Sequence, residues 1–135
     1  MREIEFRGKR KDNGKWMYGS PVYLDPEHIG IWTENAQSYF WVIPETVGQY
    51  TGQIDSNGVK IYEGDILVNP HRKEDARKFL VQWDVDCSRF LAVTIPLEAN
   101  AGENRYLWYV GKELNKNGLV IGNVHDNPEL LEEGA

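Results

Sequence analysis

The sequence predicts a mainly β protein on three observations. Short β-branched and aromatic runs recur along its 135 residues, Gly- and Asn-containing turns separate them, and no stretch sustains a clean helical period. At 41% hydrophobic and 27% charged residues the chain has enough apolar surface to fold, so disorder is excluded. Trp16, Trp32, Trp41, Trp83 and Trp108 are spread along the length, which predicts that every region contributes large side chains to burial.

The elements follow in order. Ile4 and Phe6 alternate with Glu3, Glu5 and Arg7, the period of a half-buried strand, and Asp12-Asn13-Gly14 supplies a turn that tolerates positive φ. Trp16 and Tyr18 resume the alternation, so residues 2–24 read as a hairpin whose second strand lies at an edge or breaks at Pro21. A loop over 25–30 contains Pro26, and residues 29–33 and 39–43 form a second hairpin around the polar turn 34–38. Pro44 closes it and starts one short helical turn. Residues 55–58 (Asp-Ser-Asn-Gly) are a strong turn signal; if Asn57-Gly58 fills a two-residue hairpin turn, Gly58 takes a positive φ. Residues 59–62, 66–68, 79–83 and 90–95 read as strands, and Gly64-Asp65 enters one of them as a chain does at the corner of a small barrel. Residues 71–78 form a charged loop or brief helix, 84–89 a polar connection and 96–104 a surface loop. The last strands are 106–110 and 119–124 with a turn at Asn117-Gly118, and Pro128 opens one final helical turn.

Charge bounds the partners. The net charge is −6, which argues against general affinity for nucleic acid or anionic membrane. Residues 1–20 carry Arg2, Arg7, Lys9, Arg10, Lys11 and Lys15 against Glu3, Glu5 and Asp12, a local surplus of +3 that could meet a phosphate or an acidic partner but reads better as a solvated hairpin tip. Cys87 is the sole cysteine, so a reducing, cytoplasmic compartment is expected. The start, MREIEFRGKR, has no apolar run, and no stretch is long and apolar enough for a membrane helix, so neither a secretory signal nor a membrane association is expected.

Catalysis would have to use carboxylates or histidines. Glu45, Asp55, Glu63 and Asp65 fall near one another, and a carboxylate pair is the minimum for general acid and base work. Asp55 is placed for an Asx turn and Asp65 for backbone donors at the Gly64 corner, which leaves Glu63 as the carboxylate with fewest structural duties. His28, His71 and His125 are isolated, and Cys87 has no Cys or His near it, so no metal or other cofactor is expected. In His125-Asp126 a strand would point the two side chains to opposite faces. Gly48, Gly52, Gly58, Gly64 and Gly122 lack the spacing of a phosphate loop and read as turns and corners. A barrel could bind single strands by stacking bases on Tyr50, Tyr62, Trp83, Tyr106 and Trp108 beside Arg72, Lys73, Arg77 and Lys78. The competing reading makes those aromatics core and those cations a solvated loop, and the acidic balance favours it.

Three stretches together resemble the YopX family of phage and prophage proteins: residues 2–7 (REIEFR); the run from Val47 through Tyr50-Thr51-Gly52, Asp55, Asn57-Gly58 and Ile61-Tyr62-Glu63-Gly64-Asp65-Ile66; and Val120-Ile121-Gly122-Asn123 followed by residues 126–130 (DNPEL). At Arg7-Gly8-Lys9 the chain departs from the family's Arg-Ala-Trp-Asp. The resemblance implies an all-β protein whose C-terminal part is a small SH3-like barrel, in a mobile-element context in a bacterial host cell. It brings no catalytic residues with it. With the hairpins read above, the chain divides into a hairpin region over 1–46 and a barrel region over 47–135, or packs as one compact unit. Tyr50, Thr51, Gly52, Asp55, Gly58, Tyr62, Glu63, Gly64, Asp65, Gly122 and Asn123 are then expected to be structural. The expected function is a non-enzymatic module that binds a macromolecule, a protein partner before single-stranded nucleic acid, with self-association through strand edges as a further route. A hydrolase using Glu63 and Asp65 is the remaining alternative.

Overall fold

A computed structural model describes residues 3–68, 78–85, 88–95, 107–109 and 118–132. They form antiparallel strands and two short 3₁₀ turns, with no α-helix among the described residues, so the mainly β expectation holds. No helix among them is long and apolar enough to cross a membrane. The chain divides into two compact units, Met1–Tyr50 and Thr51–Ala135.

In the first unit β1 (Phe6–Lys9), β2 (Trp16–Asp25), β3 (His28–Thr33) and β4 (Ser38–Val42) form a sheet in the order β4-β3-β2-β1, with the start of β5 (Gly48–Ile54) beside β1. Alternation decides the faces, because residues opposite each other in register share a face. Ile29 pairs with Val42 and Ile31 with Phe40, and Ile29, Ile31 and Val42 cluster with Phe6, Met17 and Val47. Gly8 lies against this cluster, where a Cβ would stand 2.9 Å from Val42 Cγ2. The strands twist until β4 reaches the end of β1. Lys11 N–H donates to the Trp41 carbonyl at 3.0 Å and Ile43 N–H to the Lys9 carbonyl at 2.8 Å.

Three expectations for this unit change. The first strand begins at Phe6, not residue 2, and Ile4 is exposed. β2 runs unbroken through Pro21, because it changes partner there: residues 16–19 pair with β1 and residues 20–25 with β3. From Pro21 on, β2 has no partner on the β1 side among the described residues, so the edge expected for this position is present and only the break is not. The loop over 25–30 is a tight turn of two residues, Pro26 and Glu27, between Asp25 and its partner His28. Asp25 Oδ1 accepts the Glu27 N–H at 2.9 Å and so holds the turn.

The second unit continues β5 and adds β6 (Lys60–Tyr62), which lies beside it. Its sheet has the order β10-β9-β8-β7-β11, from β7 (Asp65–Val68), β8 (Lys78–Asp84), β9 (Arg89–Ile95), β10 (Leu107–Tyr109) and β11 (Leu119–Asn123). Both faces of its centre are buried, which is why Phe79-Leu80-Val81 is a continuous apolar run and not an alternation. Leu67, Phe79, Val81 and Ala92 pack with Ile61 and Val120 on one side. Ile66, Leu80 and Ile95 pack on the other under Val124, Leu130 and Leu131, which the 3₁₀ turn Pro128–Leu131 brings in. Among the described residues no pairing closes this sheet into a barrel; β10 and β11 are its edges. Lys78, expected to end the charged loop 71–78, instead opens β8, where it pairs with Val68 and Ile95; residues 71–77 of that loop, the loop at 96–104, the turn residue Asn117 and Cys87 lie outside the described residues.

Candidate functional site

The family-like motif of the second unit is a set of backbone ties. Asp55 is 4% exposed, and its carboxylate accepts three N–H groups. Oδ1 takes those of Asn57 at 2.8 Å and Val59 at 2.9 Å, and Oδ2 takes that of Val120 at 3.0 Å, so one side chain joins the β5–β6 turn to β11. Gly58 has φ +83° as expected, but its N–H bonds the Asp55 carbonyl at 3.1 Å while Asp55 N–H bonds Val59. The loop therefore has three residues between Asp55 and Val59, a type I turn with Gly58 in the left-handed position, and not two. Thr51 Oγ1 donates to the Ile61 carbonyl at 2.8 Å, and Gly52 has φ +89°. Asp65 is 2% exposed and its Oδ2 accepts the Tyr62 N–H at 2.7 Å. Gly64, at φ +93°, donates to Val81 and accepts from Val124, while Glu63 is half-buried in the same turn.

The C-terminal part of the motif works the same way. A bulge at Ile121 shifts the register of β11, and Gly122 follows it beneath the Asn127 side chain, where a Cβ would collide. Asn123 Oδ1 accepts the N–H groups of His125 at 3.0 Å and Asp126 at 2.9 Å, and Asn127 Oδ1 accepts that of Asn123 at 3.2 Å. The buried Asp65 carboxylate is engaged with backbone, an arrangement that serves a corner better than a substrate.

Among the described residues proposed for base stacking, no stacking platform forms. Tyr50 is 8% exposed and Tyr62 is 4%, so neither offers an open ring face. Lys78 is also buried, with Nζ donating to the Glu132 carbonyl at 3.0 Å. Trp83 is exposed and packs edge-on to Phe90. Arg72, Lys73, Arg77 and Tyr106 and the side chain of Trp108 lie outside the described residues.

The structure instead exposes aromatics in the first unit, Trp32 and Trp41 of the spread tryptophans among them. Trp32 pairs with Tyr39 and Trp41 with Gly30, all on the face of β3 and β4 opposite the Ile29–Ile31–Val42 cluster. Their exposures are 38% for Trp32, 44% for Tyr39 and 36% for Trp41. The Tyr39 and Trp41 rings stand nearly perpendicular at 5.2 Å, and His28 meets Trp41 edge-on at 6.0 Å. Gly30 makes room, since a Cβ there would sit 2.9 Å from Tyr39 Cδ2. At one end the Asp25 carboxylate, which can only accept, takes the His28 Nδ1 proton at 2.8 Å. That bond holds the Asp25 carboxyl below its ordinary 3.8. Further round the same sheet face, the Arg7 guanidinium covers Trp16 at 4.6 Å and the Lys9 ammonium lies 5.8 Å from that ring. The period-two pattern of residues 29–33 and 39–42 carried the signal, for it sets Trp32, Tyr39 and Trp41 opposite Ile29, Ile31 and Val42.

A family model described as YopX protein matches residues 5–132. No curated protein matches the chain. Among solved structures that match is the crystal structure of protein EF1440 from Enterococcus faecalis, 23% identical, covering 98% of this chain and 100% of that one, with a TM-score of 0.49.

Proposed function

The chain belongs to the YopX family, and on that premise we propose that it is a non-enzymatic phage or prophage accessory protein that binds a protein partner through the outer aromatic face of β3 and β4. The exposed group Trp32, Tyr39 and Trp41 carries this reading. Adjacent large rings left in water on a regular sheet cost solvation that a partner would recover, and aromatic residues are what interface centres enrich. The lone Cys87 suits the reducing cytoplasm of a bacterial host. For the second unit we favour an SH3-like barrel: β7 to β10 form a meander, and β11 returns to pair with β7, the strand order such a barrel needs. Single-stranded nucleic acid is the second reading, favoured by the two cations over Trp16 on the same sheet face.

The test is affinity capture with in-cell cross-linking in lysogenic cells, with Trp32→Ala and Trp41→Ala run in parallel. A nuclease-resistant protein partner lost in both variants, each still folded by circular dichroism, is the expected result. A captured species that disappears with nuclease would replace the protein reading by the nucleic-acid one.

A further inference from the structure

Given the protein-binding reading above, the geometry points to the kind of segment this face takes: an extended, proline-containing stretch in polyproline II conformation, carrying a basic residue at one end. Three observations lead there. First, the rings form a ridged wall and not a plate. His28–Trp41 and Tyr39–Trp41 meet at 78° and 81°, so in each pair one ring's edge stands against the other's face. Stacked bases need clear ring faces, which these contacts partly cover, whereas the ridged surface of a polyproline II segment packs on ring edges and faces alike. Second, Gly30 removes the side chain that would stand between His28 and Trp32 on β3, and Tyr39 lies across the gap. The row from His28 through Trp41 and Tyr39 to Trp32 is thus continuous, spanning roughly 13 Å at strand spacing, about four residues of polyproline II.

Third, the charge at the His28 end is acidic. Asp25 and Glu27 are both exposed there, and the Lys11 ammonium beside them is held by the Glu27 carbonyl at 3.2 Å. Asp25 is bonded by His28 and the ammonium by the Glu27 carbonyl, which leaves the Glu27 carboxylate to match a cationic residue flanking the prolines and to disfavour a phosphodiester chain. A segment already in polyproline II form also loses little conformational entropy on docking, which a shallow exposed face requires.

The experiment uses the whole chain and tryptophan fluorescence with calorimetry. The probes are a twelve-residue peptide with two Pro-x-x-Pro repeats and a flanking Arg, the same peptide with its prolines replaced by alanine, a thymidine oligonucleotide, and a linear hexasaccharide. The expected result is saturable binding of the proline peptide alone, weakened about tenfold or more by Trp41→Ala and several-fold by Glu27→Gln. Gly30→Ala should also weaken it while the far-ultraviolet spectrum stays unchanged. Equal binding of the alanine peptide, or no binding of either, overturns the inference; a cross-linked partner that still depends on Trp41 would then leave the protein-binding reading in place. Saturation by the oligonucleotide or the saccharide overturns both.

Discussion

Asp55 illustrates how much one side chain decides in this molecule. Its two oxygens accept three backbone N–H groups from two segments that are 65 residues apart at Val120 and two and four residues away at Asn57 and Val59. An amide can replace one oxygen but sets its own NH₂ against a donor at the other. Asp55→Asn should therefore cost about 2 kcal/mol, and Asp55→Ala somewhat more because three donors lose their acceptor; chemical denaturation reads both. Asp25 behaves differently, since it is exposed and its partner is the His28 ring. Its carboxyl titrates below 3.8 chiefly because His28 bonds it. A depressed folded value means that the contribution is present above the unfolded pKa and is lost as pH falls through the folded one. NMR titration should place the Asp25 midpoint below 3.8, and His28→Ala should return it toward that value.

At the scale of elements, turns do most of the specifying. The β5–β6 loop needs Gly58 at φ +83°, and no neighbour lies within 4 Å of where its Cβ would be. Any penalty there is conformational and not steric. Gly58→Val should cost about 1–3 kcal/mol and Gly58→Asn clearly less, because Asn tolerates the left-handed region. Equal thermal melting midpoints for the two variants would contradict this. β2 makes the complementary case. Its ten residues serve two partners in succession, and this change of partner accommodates Pro21 within a strand.

For the whole molecule, each unit holds its own apolar cluster, around Ile31 in the first and Leu67 in the second. Both residues are 0% exposed, so Ile31→Ala and Leu67→Ala should each cost about 2–5 kcal/mol. Far-ultraviolet circular dichroism should show a β spectrum with negligible α-helix, because the only helical pieces among the described residues are the 3₁₀ turns Pro44–Thr46 and Pro128–Leu131. A helical fraction near the globular average of about one-third would overturn the fold.

Local physics made much of this legible in the sequence. Alternation at residues 16–18, 29–33 and 39–43, the apolar runs at 79–81 and 90–95, and the Asn and Gly turns each act within a few residues, so strands and corners could be read directly. The Asx role of Asp55 was readable for the same reason, as its turn partners are Asn57 and Val59. Its third bond, to Val120, was not, because nothing near Asp55 in sequence encodes which distant strand it meets. The aromatic face lay between these cases. Period two separates Trp32, Tyr39 and Trp41 from the isoleucines, yet a strand's two faces are equivalent until packing covers one of them. That choice buried Tyr50 and Tyr62 in the structure and left Trp32, Tyr39 and Trp41 in water, and it was made by tertiary contacts alone.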